Sequence, residues 1–190
     1  MTESQAAHEP GCRIVLVGMM GSGKSTIGRL LAERTGWPLH DNDDLLRGLY
    51  GLTPKQILEQ RGEPALRAAE NAALGAGLAR PEPSIVDAAG GTILSVASRE
   101  LLASVPVVWL RARPETLYRR ALGAAHRPWL DRGGERWFRD ELVVRDPLYA
   151  AVADVIVDTD SAPPEETADA IVSRLPDLCR DRSLVASPPG

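Results

Sequence analysis

No stretch of this chain approaches the ~18 consecutive apolar residues that a membrane-spanning helix needs, so none is expected to cross a bilayer. Basic residues hold no surplus: 22 lysines and arginines stand against 26 aspartates and glutamates, for a net charge of −4. With a pI near 5.4, that balance argues against a general nucleic-acid or anionic-membrane binder. Cysteine is reduced to Cys12 and Cys179, near opposite ends. They are expected as two free thiols in a reducing cytoplasm, a bridge between them being the alternative. Residues 1–11 are polar and lack the apolar core of a signal peptide, and no internal repeat is present. The expectation is a cytoplasmic protein with one domain over residues 13–178, a disordered segment over 1–12 and a flexible tail over 179–190.

Lysine is as scarce. Only Lys24 and Lys55 occur in a chain otherwise rich in arginine. A lysine kept in such a chain suits a compact ammonium point charge rather than a planar fork. Lys24 lies in Gly18-Met19-Met20-Gly21-Ser22-Gly23-Lys24-Ser25-Thr26, which fits the phosphate-binding pattern G-x-x-x-x-G-K-[ST]. The run Ile14 to Val17 before it is short and β-branched, and Ile27, Leu30 and Leu31 after it follow helical spacing, so the loop joins a strand to a helix. That arrangement aims backbone N–H groups and the positive end of a helix dipole at one spot. Gly21, Ser22, Gly23, Lys24, Ser25 and Thr26 are therefore expected to bind a nucleoside triphosphate, with Lys24 on the β- and γ-phosphates and Ser25 on Mg²⁺.

Strand and helix signals alternate along the rest. The first helix should close at Gly36, with a short strand from Trp37 to His40. A short helix over Leu45 to Tyr50 should stop at Gly51. Thr53-Pro54 should cap and open the next helix; Gly62-Glu63 interrupts, and Pro64 starts a longer one to about Leu78. Strands are expected over Ser84 to Asp87, Val105 to Leu110 and Val155 to Val157. Helices are expected over Ser98 (as cap) to Ala103, Pro114 to Leu122, Arg136 to Arg145 and Pro164 to Leu175. The glycine-, arginine- and proline-rich residues 123–134 suit a mobile loop. Alternating β and α with continuous apolar strands predicts a three-layer α/β/α sandwich around a parallel sheet.

Several acids and arginines stand where ligands gather in such a sheet, beyond the carboxyl ends of the strands. Asp41 and Asp43, one residue apart on an extended segment, would share a face. One carboxylate would hold Mg²⁺ through water and the other would orient or deprotonate a hydroxyl, while a solvated acid cluster with Asp44 as helix cap is the bland alternative. Asp87 ends an apolar strand, where a second acid beside the metal often stands, although an ordinary turn acid would sit there too. Gly90 and Gly91 would expose backbone N–H groups. Arg67, Arg127 and Arg145 suit solvated surface positions singly; beside a phosphate loop they suggest clamps for a carboxylate and a phosphoryl group.

Taken together, these residues resemble the shikimate kinase family, from Arg13 to about Leu175. The phosphate loop is joined in order by Asp41-Asn42-Asp43 and by Gly62-Glu63 with Leu66-Arg67 and Glu70. Arg127-Pro128-Trp129-Leu130 and Arg145-Asp146-Pro147-Leu148-Tyr149 follow. The resemblance implies a P-loop kinase of the nucleoside monophosphate kinase-like fold with a lid over about 123–134. It implies transfer of the γ-phosphoryl group of ATP, with Mg²⁺, to shikimate on the way to aromatic amino acids. It makes Asp43 the acceptor-binding base and Asp41 a water-mediated metal ligand. Arg67 and Arg145 become the carboxylate clamp, Gly90 and Gly91 backbone contacts to substrate, Arg127 a catalytic lid residue and Arg120 the neighbour of adenine. A monomer acting on a small molecule, apart from nucleic acid and membrane, is expected. Ala89, Leu66, Trp129 and Asp87 depart from the family pattern and bear on the acceptor pocket. A kinase for another carboxylated hydroxy compound such as gluconate, a nucleoside monophosphate kinase and an idle nucleotide-binding protein remain as alternatives. A guanine-reading N-K-x-D motif is absent.

Overall fold

The computed structural model describes residues 12–122 and 133–183. Five strands form one parallel sheet in the order β2-β3-β1-β4-β5. They are β1 (Arg13–Val17), β2 (Leu39–Asp41), β3 (Ser84–Asp87), β4 (Val107–Arg111) and β5 (Val155–Asp158). The helices are α1 (Lys24–Thr35), α2 (Asn42–Tyr50), α3 (Pro54–Leu78), α4 (Val96–Leu102), α5 (Pro114–Leu122), α6 (Gly134–Val152), α7 (Pro164–Val172) and α8 (Leu175–Ser183). A 3₁₀ turn at Thr92–Leu94 precedes α4.

The central strand explains the layers. Successive side chains of a strand point to opposite faces, and β1 is apolar on both. Val15 and Val17 join Val86, Val107, Trp109, Phe138 and Tyr149 in one core; Ile14 and Leu16 join Ile27, Leu31, Ile85, Leu110 and Ile171 in the other. A third, smaller core of Leu45, Leu46, Ile57, Leu66, Ala69 and Ala73 fixes α2 on α3. The predicted three-layer sandwich is therefore the observed architecture. Its ligand-binding edge is where the order turns about β1, at the carboxyl ends of β1 and β3.

Local signals held where the chemistry is local. Gly36 and Gly51 take left-handed backbone conformations and close α1 and α2, and Thr53 forms a capping box with Gln56 at the start of α3. Elsewhere the boundaries differ. Asp41, not Asp44, caps α2, its carboxylate accepting from Asp43 N. The cap of α4 is Ser95 rather than Ser98, because the Ser95 hydroxyl accepts from Ser98 N. The interruption expected at Gly62 is present: its φ of 79° and ψ of 174° are not helical, and α3 is two helical stretches meeting at a kink there, with Pro64 just beyond. α6 runs through Pro147 to Val152. The carbonyl deprived of its partner by that proline is at Val143, a residue on the helix's exposed face.

The cysteines correct a prediction. Cys12 and Cys179 form a disulfide, with Cα atoms 5.3 Å apart. β1 is central, so the residue before it lies beneath α8, which packs on the same core; a separation of 167 residues along the chain hides that proximity. Cys179 stands within α8. Residues 123–132, holding Arg127, Trp129 and most of the expected lid, lie outside the described residues, and α6 already begins at Gly134.

Candidate active site

The phosphate loop is shaped by what its glycines touch. A Cβ on Gly18, at φ 145°, would stand 2.5 Å from the Leu110 carbonyl oxygen, and one on Gly21, at φ 82°, 2.5 Å from that of Leu117. Both clashes are with backbone, so neither position tolerates a side chain. Gly23 leads into α1 with no side-chain cap, which leaves the first N–H groups of the helix to a ligand. Lys24 is buried and its Nζ donates to the Gly18 carbonyl at 3.0 Å. A cavity of about 450 Å³ opens beside the loop, lined by residues Gly21 to Ile27 with Arg29, Arg120, Thr159 and Pro164 among others. Arg120 donates to the Thr159 carbonyl at 2.7 Å, and the Thr159 hydroxyl donates in turn to the Ser22 carbonyl at 3.2 Å. Thr159 thus ties the far wall of the cavity to the loop, a part the sequence reading passed over.

Next to the loop sits a buried acid. Ser25 Oγ donates to Asp87 Oδ2 at 2.8 Å. Asp87 is 4% exposed, and burial pushes its carboxyl up to about 6, against the pull of Lys24 and the Ser25 hydrogen bond and with Asp41 and Asp43 adding to the rise. Asp41 faces Asp87 directly, as its register partner on the neighbouring strand. Of the two open readings of Asp87, the ordinary turn acid is set aside by this contact. The expectation that Asp41 and Asp43 extend along one face is corrected: Asp41 ends β2, and Asp43 lies in the first turn of α2, where its N–H is held by Asp41 at 2.8 Å. The exposed Asp43 carboxylate nevertheless acts electrostatically on both Asp87 and Glu70, so it lies between the phosphate side and the acceptor side.

On the acceptor side, Arg67 follows the Gly62 kink and is held by Glu70 at 2.7 Å and Glu63 at 3.0 Å. Burial pushes the Glu70 carboxyl up while Arg67 and then Arg145 pull it back, so both arginines converge on this acid. A Cβ on Gly91 would stand 1.7 Å from Arg67 Nη1, and one on Gly90 3.1 Å from the Gly18 carbonyl oxygen. These glycines are thus pinched between the acceptor arginine and the phosphate loop. The Gly90 carbonyl accepts from Arg145 Nη1 at 2.9 Å and from the Tyr149 hydroxyl at 2.8 Å. Arg145 is buried, and Glu141 accepts from its Nε at 2.6 Å. Sequence reading missed Glu141, although its i,i+4 spacing to Arg145 is the signal that marks it.

The structure therefore brings together Lys24, Ser25, Asp41, Asp43, Asp87, Arg67, Gly90, Gly91 and Arg145, with Arg120 across the cavity. Arg127 lies outside the described residues. Oxygen donors at Ser25, Asp41 and Asp87 are of the hard kind that Mg²⁺ takes. Among the described residues no three His, Cys, Asp or Glu gather as a metal cage.

Known proteins carry the same plan. The shikimate kinase family model matches residues 20–176. The shikimate kinase of Streptomyces avermitilis is 39% identical over 163 residues, 86% of this chain and 95% of that protein. The structure of shikimate kinase from Acinetobacter baumannii in complex with shikimate matches with a TM-score of 0.82 at 33% identity, over 87% of this chain and 93% of that one. A gluconokinase from Sinorhizobium meliloti matches with a TM-score of 0.55 at 22% identity, over 94% of this chain and 98% of that one, a likeness of fold alone. By the extent of the family match and by identity across nearly the whole domain, this chain belongs to the shikimate kinase family.

Proposed function

We propose that this chain is an ATP-dependent shikimate kinase, transferring the γ-phosphoryl group to the 3-hydroxyl of shikimate on the way to chorismate and the aromatic amino acids. The observation that carries this reading is the Gly90-Gly91 turn. It abuts the phosphate loop on one side and Arg67 and Arg145 on the other, so phosphate and acceptor sites share a wall.

Gly21 to Thr26 bind the triphosphate through backbone N–H groups and Lys24, and Arg120 lies against the adenine. Arg67 and Arg145 hold the acceptor carboxylate, with the Gly90 and Gly91 backbone completing its contacts. Asp43 receives the proton of the acceptor hydroxyl as its oxygen bonds to the γ-phosphorus and the bond to the β–γ bridging oxygen breaks, releasing ADP. Lys24, and Arg127 brought in from the lid, neutralise charge on the phosphoryl oxygens. Mg²⁺, held by Ser25 directly and by Asp41 through water with Asp87 beside them, would neutralise the β- and γ-phosphates. Dependence on ATP supports a cytoplasmic site, against which stands the Cys12–Cys179 bridge in place of the free thiols of a reducing compartment; among the described residues no helix is long and apolar enough to cross a membrane. The net charge of −4 supports a small-molecule acceptor over nucleic acid.

The test is ADP release with ATP and Mg²⁺, measured with shikimate, gluconate, quinate or a nucleoside monophosphate as acceptor. Turnover strongly dependent on shikimate is expected. Turnover with gluconate alone would keep the phosphate chemistry and assign the altered specificity to Ala89, Leu66 and Trp129. ATP binding without turnover on any acceptor would overturn the kinase reading.

A further inference from the structure

We infer that Glu141, outside every motif that marks the family here, is a positioning residue that sets Arg145 for the acceptor carboxylate. The inference rests on the reading of Arg145 as an acceptor clamp. α6 carries Glu141, Arg145 and Tyr149 at i, i+4 and i+8, which places them along one face. All three act at the same spot. Glu141 Oε2 lies 2.6 Å from Arg145 Nε and 2.5 Å from Nη2, Arg145 Nη1 reaches the Gly90 carbonyl at 2.9 Å, and Tyr149 reaches that carbonyl at 2.8 Å. The Trp137 ring adds a face to the same guanidinium, with its centroid 5.9 Å from Arg145 Cζ.

Burial makes the arrangement matter. The Arg145 side chain is 6% exposed and that of Glu141 29%. The arginine thus draws compensation from this carboxylate directly, with the Glu70 carboxylate acting on it from the acceptor side, while Glu141 keeps partial access to water. A guanidinium presents five N–H donors in a fixed fork. Glu141 occupies the Nε side of that fork, so the donors left for a substrate carboxylate are on the terminal nitrogens, beside Gly90. Arg67 has the parallel arrangement with Glu63 and Glu70, and each clamp arginine is thereby oriented before substrate arrives. Removing Glu141 frees the Arg145 side chain to other rotamers and leaves its charge less compensated. The cost falls on acceptor binding, because the Glu141 carboxylate is bonded to the acceptor clamp Arg145.

The experiment is steady-state kinetics, varying shikimate and ATP separately, for Glu141→Ala, Glu141→Gln, Arg145→Ala and the double variant Glu141→Ala/Arg145→Ala. Loss of one oriented charge-assisted contact predicts a rise of about tenfold in shikimate KM for Glu141→Ala, with kcat and ATP KM changed less than about threefold. Glu141→Gln, whose amide oxygen still accepts from the guanidinium, should recover most of that loss. In the double variant the Glu141 change should add nothing to the loss from Arg145→Ala. Should Glu141→Ala fail to fold, Glu141→Leu carries the same expectation. An unchanged or lowered shikimate KM in Glu141→Ala, beside a raised one in Arg145→Ala, would overturn the positioning role alone. An unchanged shikimate KM in Arg145→Ala would instead overturn the clamp reading beneath it.

Discussion

The two halves of the active site are built differently. The phosphate half is backbone: consecutive residues from Gly18 to Thr26 curl around a point, and Gly18 and Gly21 are enforced by carbonyl oxygens 2.5 Å from any added Cβ. The acceptor half is side chains delivered from α2, α3 and α6 around the Gly90-Gly91 backbone, and locked by ion pairs such as Arg67 with Glu70 at 2.7 Å. A backbone cradle fits a group common to every nucleotide, so it can be short and stereotyped. A cage of side chains fits one acceptor, and each of its parts can change without unmaking the rest.

That contrast is sharpest at Lys24, where the backbone half depends on a single charge. Lys24→Ala should lower kcat by about 10³, as loss of a transition-state charge donor typically does, and acceptor binding measured by calorimetry should hardly move. A smaller kcat effect would mean that the arginines of the acceptor side share its role.

Asp87 tests whether the seam between the halves is strained. Its carboxyl is raised to about 6 in the fold, above the ordinary aspartate value near 3.9. The folded protein therefore binds more protons than the unfolded chain between about pH 4 and pH 6, and stability falls as pH rises through that window. Asp87→Asn should then stabilise the metal-free protein at pH 7.5 by up to about 3 kcal/mol in urea unfolding, with no gain at pH 4. Its affinity for Mg·ATP should fall. Equal stability at both pH values would show that Asp87 is not strained by its burial.

Gly91→Ala probes the acceptor half by the logic of the glycines. Its Cβ would collide with the Arg67 guanidinium at 1.7 Å, the movable end of a long side chain, so the fold should survive. Displacing Arg67 should raise shikimate KM by about tenfold or more and spare ATP KM. Equal loss of both would join what the geometry separates. The smallest effect is expected at Thr159, which links Arg120 to the loop. Thr159→Val should raise ATP KM by about fivefold, the value of one hydrogen bond, with shikimate KM unchanged.

The same contrast decides what could be read from the chain. The phosphate loop, the strand at Ser84–Asp87, the helix at Pro114–Leu122 and the caps at Gly36, Gly51 and Thr53 were all legible. Each is determined by neighbours in sequence. Asp43 was read on an extended segment because the cap that turns it into α2 comes from Asp41, a choice between two adjacent acids that spacing alone does not settle. α6 was cut short at Arg145 because Pro147 reads as a stop, whereas the exposed side of the helix tolerates the broken bond. Thr159 was invisible for a different reason, and Glu141 showed only the i,i+4 spacing to Arg145 that any surface ion pair shares. Neither residue type is distinctive, and their meaning comes from the Ser22 carbonyl and the Arg145 guanidinium they meet.

The bond between Cys12 and Cys179 closes the chain into a covalent ring that contains every catalytic element described above. Pulled from its two termini, the protein would carry the load through that single sulfur bridge, and the mechanical path would bypass the sheet, the phosphate loop and the acceptor cage. In an optical trap the oxidised molecule should therefore extend only through the residues outside that ring, and addition of a reductant should release the length of the whole enclosed segment.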